Sequence, residues 1–310
     1  MGPIIGPILV TKGPENSVST MTHETALHAI ISLVIQGTLI TFLYALAALG
    51  LAVVFGLIGV INMAHGAMIT LGAYFTWACL SAGFPFVLAV MVAVLGVGLV
   101  GLIVEHVLIR HFYDKPFETL LLTWGLFLIL TELIKIAFGS DIRTIPTPLP
   151  DAVNILGFHI PEYEAVVALL SAVLLGLTGL VFYKTSYGIK IRALTQNREV
   201  AGLLGLNVAA TYKVAFVAGA MLAGLAGALM APLLSIDPTI GNIYLVRSFF
   251  VVIVGGIGQL LGGTLAGSFL IGGSQTIFAA FSSQVIAQTV VFALAIVVLR
   301  FRPTGVFKEK

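Results

Sequence analysis

Apolar runs of about twenty residues recur along nearly the whole chain, and the ionisable residues that separate them fall almost only at their ends. A bilayer hydrocarbon core about 30 Å thick asks for roughly 20 apolar residues per crossing helix. Nine segments fit that pattern: 27–49, 61–82, 86–109, 117–138, 163–183, 214–234, 244–260, 262–281 and 284–299. At 50–60 and 235–243 the chain either spans or dips in and returns. The expected fold is therefore all-α, a polytopic integral membrane protein with about 8–9 transmembrane helices. Only 9% of the 310 residues are charged, against about 25% in soluble domains, which leaves no room for a soluble architecture.

Residues 1–25 form a tail predicted to be loosely ordered, because Gly2, Pro3, Gly6, Pro7, Gly13 and Pro14 disfavour helix. The tail lacks the early basic residue and small-residue cleavage site of a signal peptide. Residues 26–310 read as a single transmembrane domain, with no linker between soluble units. Its halves resemble each other too weakly to assert an internal repeat of the transporter kind. The formal net charge of +2, with basic residues at span ends, implies no nucleic-acid partner. The single cysteine, Cys79, excludes an intrachain disulfide and a multi-cysteine metal cluster. The chain has no phosphate-binding G-x-x-x-x-G-K-[ST] loop, no H-E-x-x-H and no G-x-S-x-G. Catalytic residues, cofactor and metal are accordingly not expected. A channel, a secondary transporter, or one subunit of a transporter powered by a partner all remain.

The long polar interruption is 184–213, which holds Lys184, Lys190, Arg192, Arg198 and Lys213 against one acid, Glu199. With Arg110, Lys115 and the C-terminal Arg300, Arg302, Lys308 and Lys310, it gathers eleven of the fifteen Lys and Arg residues on one side. The positive-inside rule places that side in the cytoplasm, with the C-terminus, and leaves the N-terminus outside. Within the loop, 195–204 is expected to form a short helix, with Thr195 as N-cap, Glu199 near its positive end and Gly205 as left-handed C-cap. Val200, Leu203 and Leu204 share one side of it. Such a helix is either a groove ligand for a soluble partner or part of a solvated loop that only fixes topology.

Two further features bear on a pathway. Gly219, Ala223 and Gly227 recur at four-residue spacing, as do Ala220, Gly224 and Ala228, a pattern that lets membrane helices pack closely or lines a groove with bare backbone. Asn62 and His65 interrupt an apolar stretch beside Gly66. Either Asn62 caps a helix and His65 bonds to a neighbour, or the three residues mark a broken, pathway-lining helix. Glu132 and Lys135 are spaced to neutralise each other on one helix face. Glu105 and His106 are expected to snorkel towards the loop at 110–116, and Asp237 and Arg247 to flank an external segment within reach of a soluble partner. A pathway without fixed charge suits a neutral or zwitterionic solute.

Four motifs in order, GLIGVINMAHGAMITLGAY at 56–74, RALTQNREVAGLLGLN at 192–207, VVIVGGIGQLLGGTLAG at 251–267 and RPTGVF at 302–307, resemble the permeases of branched-chain amino acid and urea ABC importers over about 39–307. The resemblance implies a pore formed with a second related permease as homo- or heterodimer. It also implies two cytoplasmic ATP-binding subunits and an external solute-binding protein, in a bacterial inner membrane. On the same ground the basic loop contains the ATPase-coupling helix, with Asn197, Arg198, Glu199 and Ala201 on motif positions and Arg192, Val200, Leu203 and Leu204 beside them. The wording TQNREVA is closer to the urea branch, so a urea or short-amide permease is the expected function. A branched-chain amino acid permease and a self-sufficient channel for a small neutral solute are the alternatives.

Overall fold

The computed structural model describes residues 15–59, 61–113, 115–155, 157–302 and 305–307. The chain is an all-α membrane protein in which, among the described residues, seven helices are long and apolar enough to cross a bilayer. In order these are α1 (Glu15–Ile58), α3 (Phe86–Val107, extended by a 3-10 turn to His111), α4 (Pro116–Phe138), α5 (Glu162–Lys184), α8 (Val208–Met230, extended to Leu233), the combined helix α10–α11 (Gly262–Phe281) and α12 (Gln284–Phe301). Two shorter helices, α2 (His65–Ser81) and α9 (Ile240–Gly255), lie among them. The basic loop contributes α6 (Ser186–Gln196) and α7 (Arg198–Leu203).

Several boundaries differ from those expected. α1 starts at Glu15 and runs without a break to Ile58, so 50–58 neither dips nor returns. Residues 1–14, which carry the glycines and prolines that predict a loose tail, lie outside the described residues. The expected second span at 61–82 becomes a turn at 61–64 followed by the 17 residues of α2. α9 begins at Ile240, four residues ahead of the apolar run that marked it. The proline-rich segment before α5 is not helical, as its prolines require, but it holds an antiparallel hairpin, β1 (Ala152–Ile155) with β2 (Phe158–Pro161). An isolated bridge between Arg143 and Ile236 ties this face to the chain entering α9.

α1, α2, α8 and α9 form the packed centre, while α3, α4, α5 and α12 present large apolar side chains outward, as a lipid-facing shell does. Small residues account for the tight centre. A Cβ on Gly72 of α2 would stand 2.2 Å from the carbonyl oxygen of Gly224 in α8, and one on Gly66 would stand 2.5 Å from that of Gly241 in α9. Membrane helices gain their association from such close backbone approach, so the glycine–alanine pattern of α8 is used for packing.

The three basic segments lie at one end of the bundle. Tyr113, within the 110–116 loop, meets Tyr212 at 5.0 Å between ring centroids, and Phe307, in the segment after α12, borders Gly262 at the head of α10. The hairpin and the Arg143–Ile236 bridge occupy the opposite end. Glu105 does not snorkel: it is fully buried, and its Oε1 accepts a 2.8 Å hydrogen bond from the Tyr113 hydroxyl. Burial, followed by this carboxylate, holds the Tyr113 hydroxyl well above its usual pKa, so it stays a donor.

Candidate functional site

The loop expected to carry one helix carries two, joined by an elbow at Asn197. Thr195 is not an N-cap; it lies inside α6, its hydroxyl donating to the Arg192 carbonyl at 3.0 Å. Asn197 takes the extended conformation, φ −155° and ψ 106°, and its Oδ1 accepts from the Val200 N–H at 3.0 Å. This satisfies an otherwise orphan donor at the start of α7. Glu199 sits in the first turn, where the helix dipole favours an acid. The C-terminus closes as expected: Gly205 has φ +86°, its N–H bonds the Gly202 carbonyl, and the Leu206 N–H bonds the Ala201 carbonyl. These are the two bonds of a Schellman motif.

The elbow is fastened inward and presents an apolar face outward. Ala201 is 2% exposed, whereas Leu203 and Leu204 are 88% and 78% exposed and Val200 is also open. Arg198 lies over the Tyr212 ring, 5.5 Å from its centroid. Arg192 donates to the Phe182 carbonyl at the end of α5 and lies over the Phe182 ring at 5.6 Å. Cation–π contacts of this kind orient a cation as well as hold it. A six-residue helix buries too little to stand alone, so these anchors fix its direction.

At the head of α2, the Asn62 Oδ1 accepts from the Ala64 N–H at 3.1 Å, and the Met63 N–H reaches the Thr123 hydroxyl of α4 at 3.1 Å. His65 is fully buried, and its Nε2 lies 2.9 Å from the Ala47 carbonyl of α1. A carbonyl only accepts, so Nε2 carries the proton. Gly66 is the crossing point with Gly241. Asn62, His65 and Gly66 thus cap a turn, bridge two helices and allow a close approach.

The large cavity lies elsewhere. About 780 Å³ in volume, it runs from the hairpin, at Phe158 and His159, down one stripe of α1 to Tyr44, with Leu233, Tyr244, Arg247 and Gln275 on its other walls. Asn62, His65 and Gly66 are not among its lining residues. Its volume falls in the range of small-molecule sites, about 300–1,000 Å³. Arg247 corrects the expectation of an external residue: it is 9% exposed and lies between the rings of Tyr44 and Tyr244, 5.1 and 5.3 Å from their centroids. The cavity therefore carries a fixed cation on its wall. The displacement follows from the earlier start of α9, which carries Arg247 inward. Asp237 is half-buried, and its Oδ1 accepts from the Thr239 N–H at 2.7 Å.

Comparison with known proteins gives a consistent result. The family described as branched-chain amino acid transport system / permease component matches residues 33–299. The high-affinity branched-chain amino acid transport system permease protein LivH of Escherichia coli is 29% identical over 282 residues, 85% of this chain and 90% of its own length. BraD of Pseudomonas aeruginosa, named in the same way, is 28% identical over 289 residues, 88% and 94% of the two chains. A probable LivH of Methanocaldococcus jannaschii is 28% identical over 256 residues, 79% and 80% of the two. No solved structure matches. All three relatives carry branched-chain amino acids in their names, and the urea preference drawn from TQNREVA finds no support among them. With its core helices, basic elbow and C-terminal segment all inside or bordering the matched region, the chain belongs to the family of branched-chain amino acid transport system permease components.

Proposed function

We propose that this chain forms part of the translocation pathway of an ATP-driven importer for branched aliphatic amino acids. It works with a second related permease, two ATP-binding subunits at the α6–α7 elbow and a solute-binding protein at the hairpin end. The observation that carries the proposal is the pair Leu203 and Leu204, almost fully exposed on a helix whose other side is anchored through Ala201. A loop that only fixes topology has no reason to hold two leucines in water at the basic end of a membrane bundle. A partner groove that covers them does, in the manner of an amphipathic helix laid in an apolar cleft. The N-terminus then lies outside and the C-terminus in the cytoplasm, following the basic residues. The substrate class rests on the names of the relatives and on the aliphatic side chains of Ile35, Leu39, Ile40 and Leu43 that α1 turns to the cavity.

A photo-crosslinking residue placed at Leu203 tests the docking. In membranes containing the whole importer it should capture the ATP-binding subunit, and the same residue at Phe158 on the hairpin should not. Capture from Phe158 with none from Leu203 would refute the assignment.

A further inference from the structure

The floor of the cavity holds an unneutralised cation deep in the bundle. Tyr44 is seventeen residues after Leu27 and twelve before Gly56 in the span of α1, or about 26 and 18 Å along the helix from its two ends. Arg247 is the eighth of sixteen residues in α9. No carboxylate forms an ion pair with Arg247 among the described residues, and its Nε has no hydrogen-bond partner there. Its hydrogen bond to the Gln288 Oε1, donated by Nη2, is long at 3.5 Å. An ionised side chain at membrane depth is costly and is normally paired or functional.

A second donor stands beside it. The Tyr44 hydroxyl donates to the Gln275 Oε1 at 2.7 Å, which assigns that oxygen to the tyrosine and leaves the Gln275 NH2 group available. The glutamine is the second residue after a π-helical turn, Phe269–Gly273, whose Gly272 packs against Thr41 of α1. Single π turns inside α-helices re-aim the residues that follow and recur at functional sites. Arg247 and Gln275 both line the cavity with Tyr44, and Leu39, Ile40 and Leu43 form the aliphatic wall above them.

We propose that Arg247 and Gln275 form a carboxylate receptor that holds the carboxylate of the transported amino acid at the floor of this cavity, its aliphatic side chain lying along α1. Planar guanidinium donors match a carboxylate, and the bond is charge-assisted. The proposal deepens the function given above and rests on it for the identity of the amino acid.

The test uses the complete importer in nanodiscs, with Leu43→Cys placing a reporter thiol on the cavity wall and Cys79→Ser removing the native one. A sulfonate-bearing thiosulfonate should modify the reporter thiol about tenfold faster than its trimethylammonium counterpart, because of the field of Arg247. Arg247→Met should abolish that preference and Arg247→Lys should keep it. L-Leucine and isovalerate should protect the reporter thiol, whereas leucinamide and isovaleramide should not. In Arg247→Met the half-protecting concentration of L-leucine should rise about 10- to 100-fold, the loss expected for a hydrogen bond to a charged group. Equal protection by acid and amide, or protection unchanged in Arg247→Met, would overturn the receptor. Uptake of urea and not of leucine, with isovalerate still protecting through Arg247, would overturn the proposed substrate and leave the receptor standing. Protection by no carboxylate overturns the receptor whichever solute is imported.

Discussion

The double substitution Leu203→Ser, Leu204→Ser isolates the proposed docking face at α7 from everything that builds it. The Asn197 cap, the buried Ala201 and the Gly205 turn stay in place, so the helix keeps its position. At 88% and 78% exposure the two side chains have nearly all of their apolar surface still to bury. Fully covering a leucine contributes roughly 1.5–3 kcal/mol. Covering both in a partner groove is worth about 3–5 kcal/mol after allowing for incomplete burial. Losing it weakens binding on the order of 100-fold or more. The measurement is the affinity of the purified ATP-binding subunits for the permease in nanodiscs, read together with copurification and ATP-driven uptake. Insertion and thermal stability of the permease should not change. Affinity within about twofold of wild type, with uptake intact, would return the α6–α7 loop to the role of a topology signal.

Gly72→Leu should lower the midpoint of thermal unfolding in detergent, since even its Cβ would stand 2.2 Å from the Gly224 carbonyl, an overpacking cost of about 1–3 kcal/mol. Gly125→Ala, where nothing lies within 4 Å of the added Cβ, should leave the midpoint unchanged or raise it slightly. His65→Gln keeps a donor towards the Ala47 carbonyl and should retain most uptake. His65→Leu loses the bond and about 1 kcal/mol of stability, read as a lower melting midpoint; equal midpoints for the two variants would show that the 2.9 Å contact does not matter. Single cysteines at Asp151 and Asn197, with Cys79→Ser, should show labelling by an impermeant thiol reagent in intact cells at Asp151 alone. Labelling at Asn197 would reverse the orientation.

The helical membrane fold was legible because apolar length is a one-dimensional signal, and so was the basic loop. What a reading along the chain misplaces depends on partners distant in sequence. Glu105 lies within a turn of a charged loop and so promised to snorkel, but it is held by Tyr113, which returns over α3 only after the helix has ended. Arg247 lies near the start of an apolar run, and only the four extra residues of α9 carry it inward to the rings of Tyr44 and Tyr244. Gln275 gives no sequence signal at all; its position follows from a π turn and a tyrosine on another helix. In the elbow, the reading along the chain takes Thr195 as the N-cap, whereas Asn197, a residue type equally suited to the position, caps α7. The Asn-Arg-Glu order, an N-cap type followed at once by an acid in the first turn, was the available clue. The substrate was the least legible part for a physical reason: TQNREVA belongs to the elbow, at the opposite end of the bundle from the hairpin beside which the cavity opens.

The most direct measurement is uptake of labelled L-leucine into proteoliposomes that contain this chain with its partner permease, ATP-binding subunits and solute-binding protein. The account predicts accumulation above the external concentration with ATP, none with a hydrolysis-deficient ATP-binding subunit, and no accumulation of urea. Equilibration of leucine or urea by this chain alone, without ATP or partners, would contradict it and establish a channel.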